Sequence, residues 1–182
     1  ELDLGRVLKR AGNDFDGGYT MAGLTGSGSA FVVRDPSGIR PAYYYADEEV
    51  VVVASEKPAI KTAFNINYSQ IKERQPGHAL IVNKDGEFHH QEIIKPLDKT
   101  SCSFERIYFS RGTDPEIYQE RKQLGKLLVP QILKAINVDV KNTIFSYIPN
   151  TAETAFMGMM SGIEDYLIAK QKDIIIDSKP TV

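Results

Sequence analysis

The sequence predicts an α+β protein in which an antiparallel-sheet part is followed by the beginning of an α/β domain. Residues 15–94 are short β-rich runs separated by turns that contain Gly, Pro and Asp. Further along the chain, longer helical patterns alternate with strand-like runs, which is typical of a parallel sheet covered by helices. We therefore expect one domain over residues 1–98 and a second over residues 99–182.

The composition is that of a soluble globular protein with a real core. Hydrophobic residues make up 42% of the 182 residues and charged residues 25%. The net charge is −2, with 22 basic and 24 acidic side chains well mixed, so no nucleic-acid or membrane surface is indicated. No apolar run approaches the roughly 18 residues of a membrane helix. One cysteine cannot form an internal disulfide, which fits a reducing cytoplasm.

The first part reads as one helix and a series of hairpins. Residues 1–16 predict the end of an amphipathic helix stopped by Gly12. The sequence TGSGS joins two strands; it lacks the GK[ST] of a phosphate-binding loop, so we interpret it as a turn. AYYY and VVVVAS predict two strands, and residues 58–64 a short helix. Asp85-Gly86 predicts the tip of a further hairpin.

The second part predicts alternating strands and helices. FERIYFS is interpreted as a strand, and Asp114 followed by Pro115 as the N-cap and first turn of a helix. Pro130 is expected to kink or end that helix. NTIFSYIP predicts a buried strand, the following residues a second helix, and IIID a last strand. Both chain ends look cut, so we expect a fragment of a longer protein.

The residues alone indicate no complete catalytic or metal site. His89 and His90 are adjacent on a predicted strand and therefore point to opposite faces, and His78 follows a Pro-Gly turn, so these three are expected to be strand residues rather than metal ligands. The only cysteine, Cys102, lies beside an aromatic run. It could be a nucleophile, a metal or cluster ligand, or core filling at a domain joint.

Several motifs, in order along residues 15–162, resemble the amidophosphoribosyltransferase family of class II glutamine amidotransferases, which are N-terminal-nucleophile hydrolases. These motifs are VVRDPSGIRPAYY followed by VVVASE, then CSFERIYFSR, YQERKQLGKLL and YIPNTAETAF. The resemblance implies the C-terminal half of a glutaminase domain in residues 1–98 and the N-terminal part of a phosphoribosyltransferase domain in residues 99–182. Asparagine synthetases carry a similar turn, typically with lysine in place of Arg40.

The resemblance implies roles for particular residues. Phe104 and Tyr108 match aromatic residues that line or gate an ammonia passage in the family, although core packing at the domain joint is an equally good interpretation. A dry aromatic wall would keep ammonia from water and from protonation. For the charged turn and the end of a neighbouring strand we expect fold stabilisation rather than catalysis; these residues are Arg34, Asp35, Gly38, Arg40, Ser55 and Glu56.

Other implied roles concern the second reaction centre and the cysteine. Asn150 and Thr151 match the phosphoribosyl pyrophosphate loop, where Thr151 could contact magnesium; Asn150 departs from the acidic residue that is common there. The family's nucleophile is an N-terminal cysteine whose α-amino group can serve as the base, so Cys102 is not that residue. An iron–sulfur cluster needs four ligands, so Cys102 is expected to be buried filler unless further cysteines follow.

The resemblance implies a transferase that uses glutamine and phosphoribosyl pyrophosphate, in the first step of purine biosynthesis. We expect a cytoplasmic, homo-oligomeric, magnesium-dependent whole protein, with no catalytic residue in this chain and no activity of the chain alone. Two alternatives remain. One is another class II amidotransferase such as asparagine synthetase, and the other is a degenerate, non-catalytic homologue that acts as a binding module.

Overall fold

The computed structural model describes residues 2–177, which form two compact units that divide between Phe109 and Ser110. The sequence placed the boundary after residue 98, and the nature of the two domains remains a prediction. In the described part of the chain, no helix is both long enough and apolar enough to span a bilayer.

The first unit opens with helix α1 and contains a four-stranded antiparallel sheet. Helix α1 spans Leu4–Gly12, and the Asp3 carboxylate caps it by accepting the Arg6 N–H at 3.0 Å. The sheet has the order β1-β2-β6-β7. Its strands are β1 Thr20–Leu24, β2 Ala30–Arg34, β6 His78–Val82 and β7 Phe88–Glu92. The helix and both hairpins confirm the sequence predictions.

A second, three-stranded antiparallel sheet belongs to the same unit and has the order β4-β3-β5. Its strands are β3 Tyr43–Ala46, β4 Val51–Ala54 and β5 Lys72–Glu73. Helix α2, Lys57–Phe64, follows β4 as predicted, and a short 3-10 helix, Tyr68–Gln70, precedes β5.

Successive side chains along each strand point to opposite faces of the four-stranded sheet, so one face packs on α1 and the other faces the three-stranded sheet. Val33, Ala79 and Ile81 point to one face, where Leu4 and Leu8 of α1 complete the hydrophobic core. Ala22, Val32, Leu80 and His90 are cross-strand neighbours on the opposite face. That face is turned to the three-stranded sheet, because the rings of His90 and Tyr44 meet edge to face at 5.1 Å.

The second unit is a helix pair. Helix α3 spans Pro115–Ala135 and helix α4 spans Glu153–Asp177, with Val129, Leu133 and Ile163 at the centre of their contact. Asp114 caps α3 as predicted, since its carboxylate accepts the Glu116 N–H at 2.9 Å. The backbones approach closely at Gly125 and Gly158, where a Cβ would overlap carbonyl oxygens of the facing helix.

Several predictions for the region after residue 98 are wrong. FERIYF is not a strand: Glu105–Phe109 form a π-helical turn at the end of the first unit. NTIFSYIP, residues 142–149, forms no strand, and Ile144 and Ile148 are 94% and 84% exposed. IIID is the last turn of α4. Pro130 lies inside α3 and does not end it, so of the two expectations for this residue only the kink stays a prediction.

The physical reason for the errors in residues 110–177 is the lack of a partner strand. A strand must pair its backbone N–H and C=O groups, and residues 110–177 contain no second strand to receive them. Apolar, β-branched segments therefore take other conformations there. The α+β class is confirmed, but its second part is helical over the described residues.

Candidate functional site

The charged turn after β2 is organised by the carboxylate of Asp35, which is completely buried. One carboxylate oxygen accepts the backbone N–H groups of Ser37, at 3.1 Å, and Ile39, at 2.9 Å. The other accepts the Arg40 N–H at 3.1 Å. Gly38 has φ +60°, in the left-handed region that glycine adopts without strain, so the chain can reverse there.

The guanidinium of Arg34 ties this turn to β5. Arg34 is 2% exposed and donates to the carbonyl oxygens of Arg40, at 2.7 Å, and Gly38, at 2.9 Å. It also pairs with the Glu73 carboxylate at 2.9 Å. Burial raises the pKa of Glu73, but hydrogen bonds from Lys99 and Arg34 outweigh burial and lower this pKa overall.

Arg40, at the end of the turn, reaches the aromatic segment near the end of the unit. Its guanidinium forms an ion pair with the carboxylate of Glu105, which is 8% exposed. Glu105 was not singled out from the sequence. Its only sequence signal was a single acidic residue inside an aromatic and aliphatic run.

Phe104 and Tyr108, the predicted passage residues, lie together with Phe109 in one cluster of three rings. The ring centroids are 5.4 Å apart for Phe104 and Tyr108, 5.5 Å for Phe104 and Phe109, and 5.3 Å for Tyr108 and Phe109. Each of the three side chains is more than half exposed. The structure thus presents an aromatic surface, held next to a buried carboxylate.

A cavity of about 430 Å³ lies between the two sheets, beside the aromatic cluster. Some of the residues that line it were singled out from the sequence, and others were not. Arg40, Ser55 and Glu56 belong to the first group, and Glu105, Phe109 and Thr20 to the second. The cavity therefore combines two carboxylates, a guanidinium and two hydroxyl groups with one aromatic ring, that of Phe109.

The structure places the remaining predicted residues apart from this cavity. Asn150 and Thr151 lie in the turn before α4, with Asn150 exposed and Thr151 half-buried. Cys102 is half-buried, and its N–H donates to the Ile39 carbonyl at 3.3 Å. Over residues 2–177, no cluster of three or more His, Cys, Asp or Glu side chains could hold a metal ion. The described residues therefore do not by themselves form a magnesium or cluster site.

The curated proteins that are similar to this chain in sequence include several amidophosphoribosyltransferases. An amidophosphoribosyltransferase of Archaeoglobus fulgidus is 31% identical over 162 residues, which are 87% of this chain and 33% of that protein. The amidophosphoribosyltransferase of Bacillus subtilis is 28% identical over 155 residues, which are 83% of this chain and 30% of that protein. This chain is homologous to the amidophosphoribosyltransferases. It spans about a third of their length.

The same relationship is seen in the fold. The solved structure of glutamine phosphoribosylpyrophosphate amidotransferase from B. subtilis, complexed with ADP and GMP, matches with a TM-score of 0.67 at 24% identity. The match covers 90% of this chain and 34% of that amidophosphoribosyltransferase chain. No protein-family model matches the chain.

Proposed function

We propose that this chain is part of a glutamine-dependent amidophosphoribosyltransferase. In that reaction glutamine and water give glutamate and ammonia, and ammonia displaces pyrophosphate from phosphoribosyl pyrophosphate to give phosphoribosylamine. The observation that carries the proposal is the similarity to amidophosphoribosyltransferases along 87% of the chain. The shared fold supports it.

Within this proposal, the aromatic cluster of Phe104, Tyr108 and Phe109 forms a wall of the ammonia passage. Phe109 also lines the cavity between the sheets, so this cavity and the aromatic surface share one ring. These rings are exposed in this chain, and in the whole enzyme, once they are covered, ammonia that passes along them would stay away from water and keep the lone pair that attacks the second substrate. Arg40 and Glu105 act as positioning residues, because their ion pair holds the segment that carries the rings.

Asn150 and Thr151 are proposed to contribute to the phosphoribosyl pyrophosphate loop, with the Thr151 hydroxyl facing magnesium in the whole enzyme. Their place in the turn before a long helix supports this role, because the free N–H groups at a helix start favour anions. We also propose that the whole protein is cytoplasmic and homo-oligomeric, and that Cys102 fills space rather than binding a cluster.

A glutaminase assay tests the proposed function. A gene product that contains this chain is incubated with glutamine, with and without phosphoribosyl pyrophosphate, and glutamate and pyrophosphate are measured. We expect glutamate release to rise when phosphoribosyl pyrophosphate is added, and pyrophosphate to form in step with it. Glutamate release that does not change when phosphoribosyl pyrophosphate is added, with no pyrophosphate formed, would exclude the transferase half of the proposal. No glutamate release at all would favour a non-catalytic binding module.

A further inference from the structure

Arg74 is a buried cation without an acidic partner. It is 3% exposed, and none of the carboxylates in residues 2–177 pairs with it. Its Nη2 donates to the Ala79 carbonyl at 3.2 Å, whereas its buried Nε has no hydrogen-bond acceptor. Nearby, Glu73 is shared between Arg34 and Lys99 and so cannot neutralise a third cation. A buried cation without an anionic partner lowers the stability of the folded protein, and a bound anion would offset this loss.

His90 stands between this buried cation and a pocket. The Nη1 group of Arg74 donates to Nδ1 of His90, so Nδ1 carries no proton and the imidazole is neutral, with its proton on Nε2. Burial and the charge of Arg74 lower the pKa of His90, in agreement with this neutral form. His90 therefore offers an N–H donor on the side of the ring away from Arg74.

The pocket has a volume of about 180 Å³ and lies between β7 and the three-stranded sheet. His90, Phe88 and Tyr44 supply rings to its wall, with centroids 5.9 Å apart for Phe88 and His90. Lys72 and Gln70 also line it, and the Gln70 side-chain oxygen already accepts the Asn67 N–H at 3.0 Å. Tyr45 also lines it, but its hydroxyl donates to Asp47, whose carboxylate is already held by backbone N–H groups.

We infer that this pocket binds a small dianion of the phosphate class, held by Lys72 and by the Nε2–H of His90. Two positive charges, on Lys72 and Arg74, match the two negative charges of such a ligand. The dianion would give Arg74 the counter-charge that the protein lacks, acting across the imidazole of His90. The site lies away from the cavity lined by Arg40 and Glu105 and is independent of the proposed function.

The pKa of His90 reports binding directly. We would follow the imidazole C–H signals of the full chain by NMR through a pH titration, in sulfate, in inorganic phosphate and in chloride at equal ionic strength. A bound dianion stabilises the imidazolium, so the pKa of His90 should rise in sulfate by at least about half a unit relative to chloride. The rise should be smaller in inorganic phosphate, which is protonated to the monoanion in the pH range where His90 titrates. His89 points to the opposite face of β7 and should show no such rise.

A matched pair of lysine variants locates the anion. Lys72→Gln should weaken binding of sulfate about fivefold, whereas Lys95→Gln, which removes an exposed lysine outside the pocket, should leave it unchanged. An equal rise for His89 and His90, no rise, or equal binding by both variants would overturn the inference. So would an adventitious ion only, seen as an equal rise when sulfate is replaced by acetate at the same ionic strength. Repeating the titration in glycerol phosphate shows whether the pocket binds a phosphate monoester more tightly than inorganic phosphate.

Discussion

The guanidinium of Arg40 is ion-paired with the carboxylate of Glu105, so the charged turn and the aromatic segment are held as one structure. Arg40 itself is positioned by the turn, because its N–H donates to Asp35 and its carbonyl accepts from Arg34. Glu105 lies in the π-helical turn that carries Tyr108 and Phe109. The buried Asp35 and Arg34 thus help to position an exposed aromatic surface, through this ion pair and through the hydrogen bond from the Cys102 N–H to the Ile39 carbonyl.

Removing Arg40 should destabilise the first unit more than removing the charge of Glu105. In Arg40→Met, a carboxylate that is 8% exposed loses its cation, which we expect to cost about 2 kcal/mol of the free energy of unfolding. Glu105→Gln should cost less, and Arg40→Met combined with Glu105→Gln should recover part of the loss. Urea unfolding followed by circular dichroism measures all three. Strictly additive effects would show that the pair contributes no coupling.

Asp35 should be far less tolerant of substitution than an exposed aspartate. Asp35→Ala leaves the N–H groups of Ser37, Ile39 and Arg40 without their acceptor in a buried turn, at an expected cost of about 3 kcal/mol. Asp98→Asn changes an exposed carboxylate near the end of the same unit and should stay within about 0.5 kcal/mol of the unchanged protein. Thermal unfolding of both variants tests this, and equal melting temperatures would contradict it.

Stability should fall on mild acidification because of His90. Burial, then Arg74, His78, Lys72 and His89, lower the pKa of His90 in the folded chain. The unfolded chain therefore takes up this proton at a higher pH than the folded chain does. The contribution of His90 to the free energy of unfolding is complete above the ordinary histidine pKa of about 6.5. It is lost as the pH falls through the lower pKa that His90 has in the folded chain.

Paired histidine variants separate His90 from the rest of the protein. His90→Gln should flatten the decline of the free energy of unfolding below about pH 6.5, whereas His89→Gln should retain it. Urea midpoints measured on both sides of that pH in chloride buffers provide the comparison. An unchanged slope in His90→Gln would assign the acid sensitivity to other groups.

The helix pair should not accept a methyl group at its point of closest approach. A Cβ at Gly125 would overlap the Ala155 carbonyl, and one at Gly158 would overlap the Lys122 carbonyl. Backbone atoms cannot move aside as a flexible side chain does, so Gly125→Ala and Gly158→Ala should each cost about 2 kcal/mol despite the better helix propensity of alanine. Gly26→Ala, in open space in the first hairpin, is the control. Equal melting temperatures of the three variants would contradict close packing of α3 on α4.

Local patterns predicted the first unit well because its strands are joined by turns with specific chemistry. Asp85-Gly86 marked the β6–β7 hairpin, and Asp35-Pro36-Ser37-Gly38 marked the turn after β2. In the second unit the apolar runs carried the same strand-like composition, but strand formation depends on a partner. Composition cannot report whether that partner strand is present, so residues 142–149 and 174–177 were assigned incorrectly as strands.

The candidate site was predictable in its residues but not in its contacts. Phe104 and Tyr108 were identified through the family resemblance, yet a strand would have placed them about 13 Å apart on one face. The helical turn brings their rings to 5.4 Å. Neither the ion pair of Arg40 with Glu105 nor the contact of Arg74 with His90 has a signal in the sequence, because both join segments that are distant along the chain.

The aromatic cluster should govern how efficiently ammonia is used, if the proposed function holds. Tyr108→Ala removes the ring that contacts both Phe104 and Phe109 and so leaves a gap in the proposed wall. Ammonia that escapes is protonated and lost to the second reaction, so we expect glutamate release to continue while phosphoribosylamine formation falls severalfold. Phe64→Ala removes a partly exposed ring elsewhere in the first unit and should leave the ratio of the two products near one. Supplying external ammonia should restore product formation in Tyr108→Ala, whereas a loss that ammonia cannot restore would point to a structural defect instead.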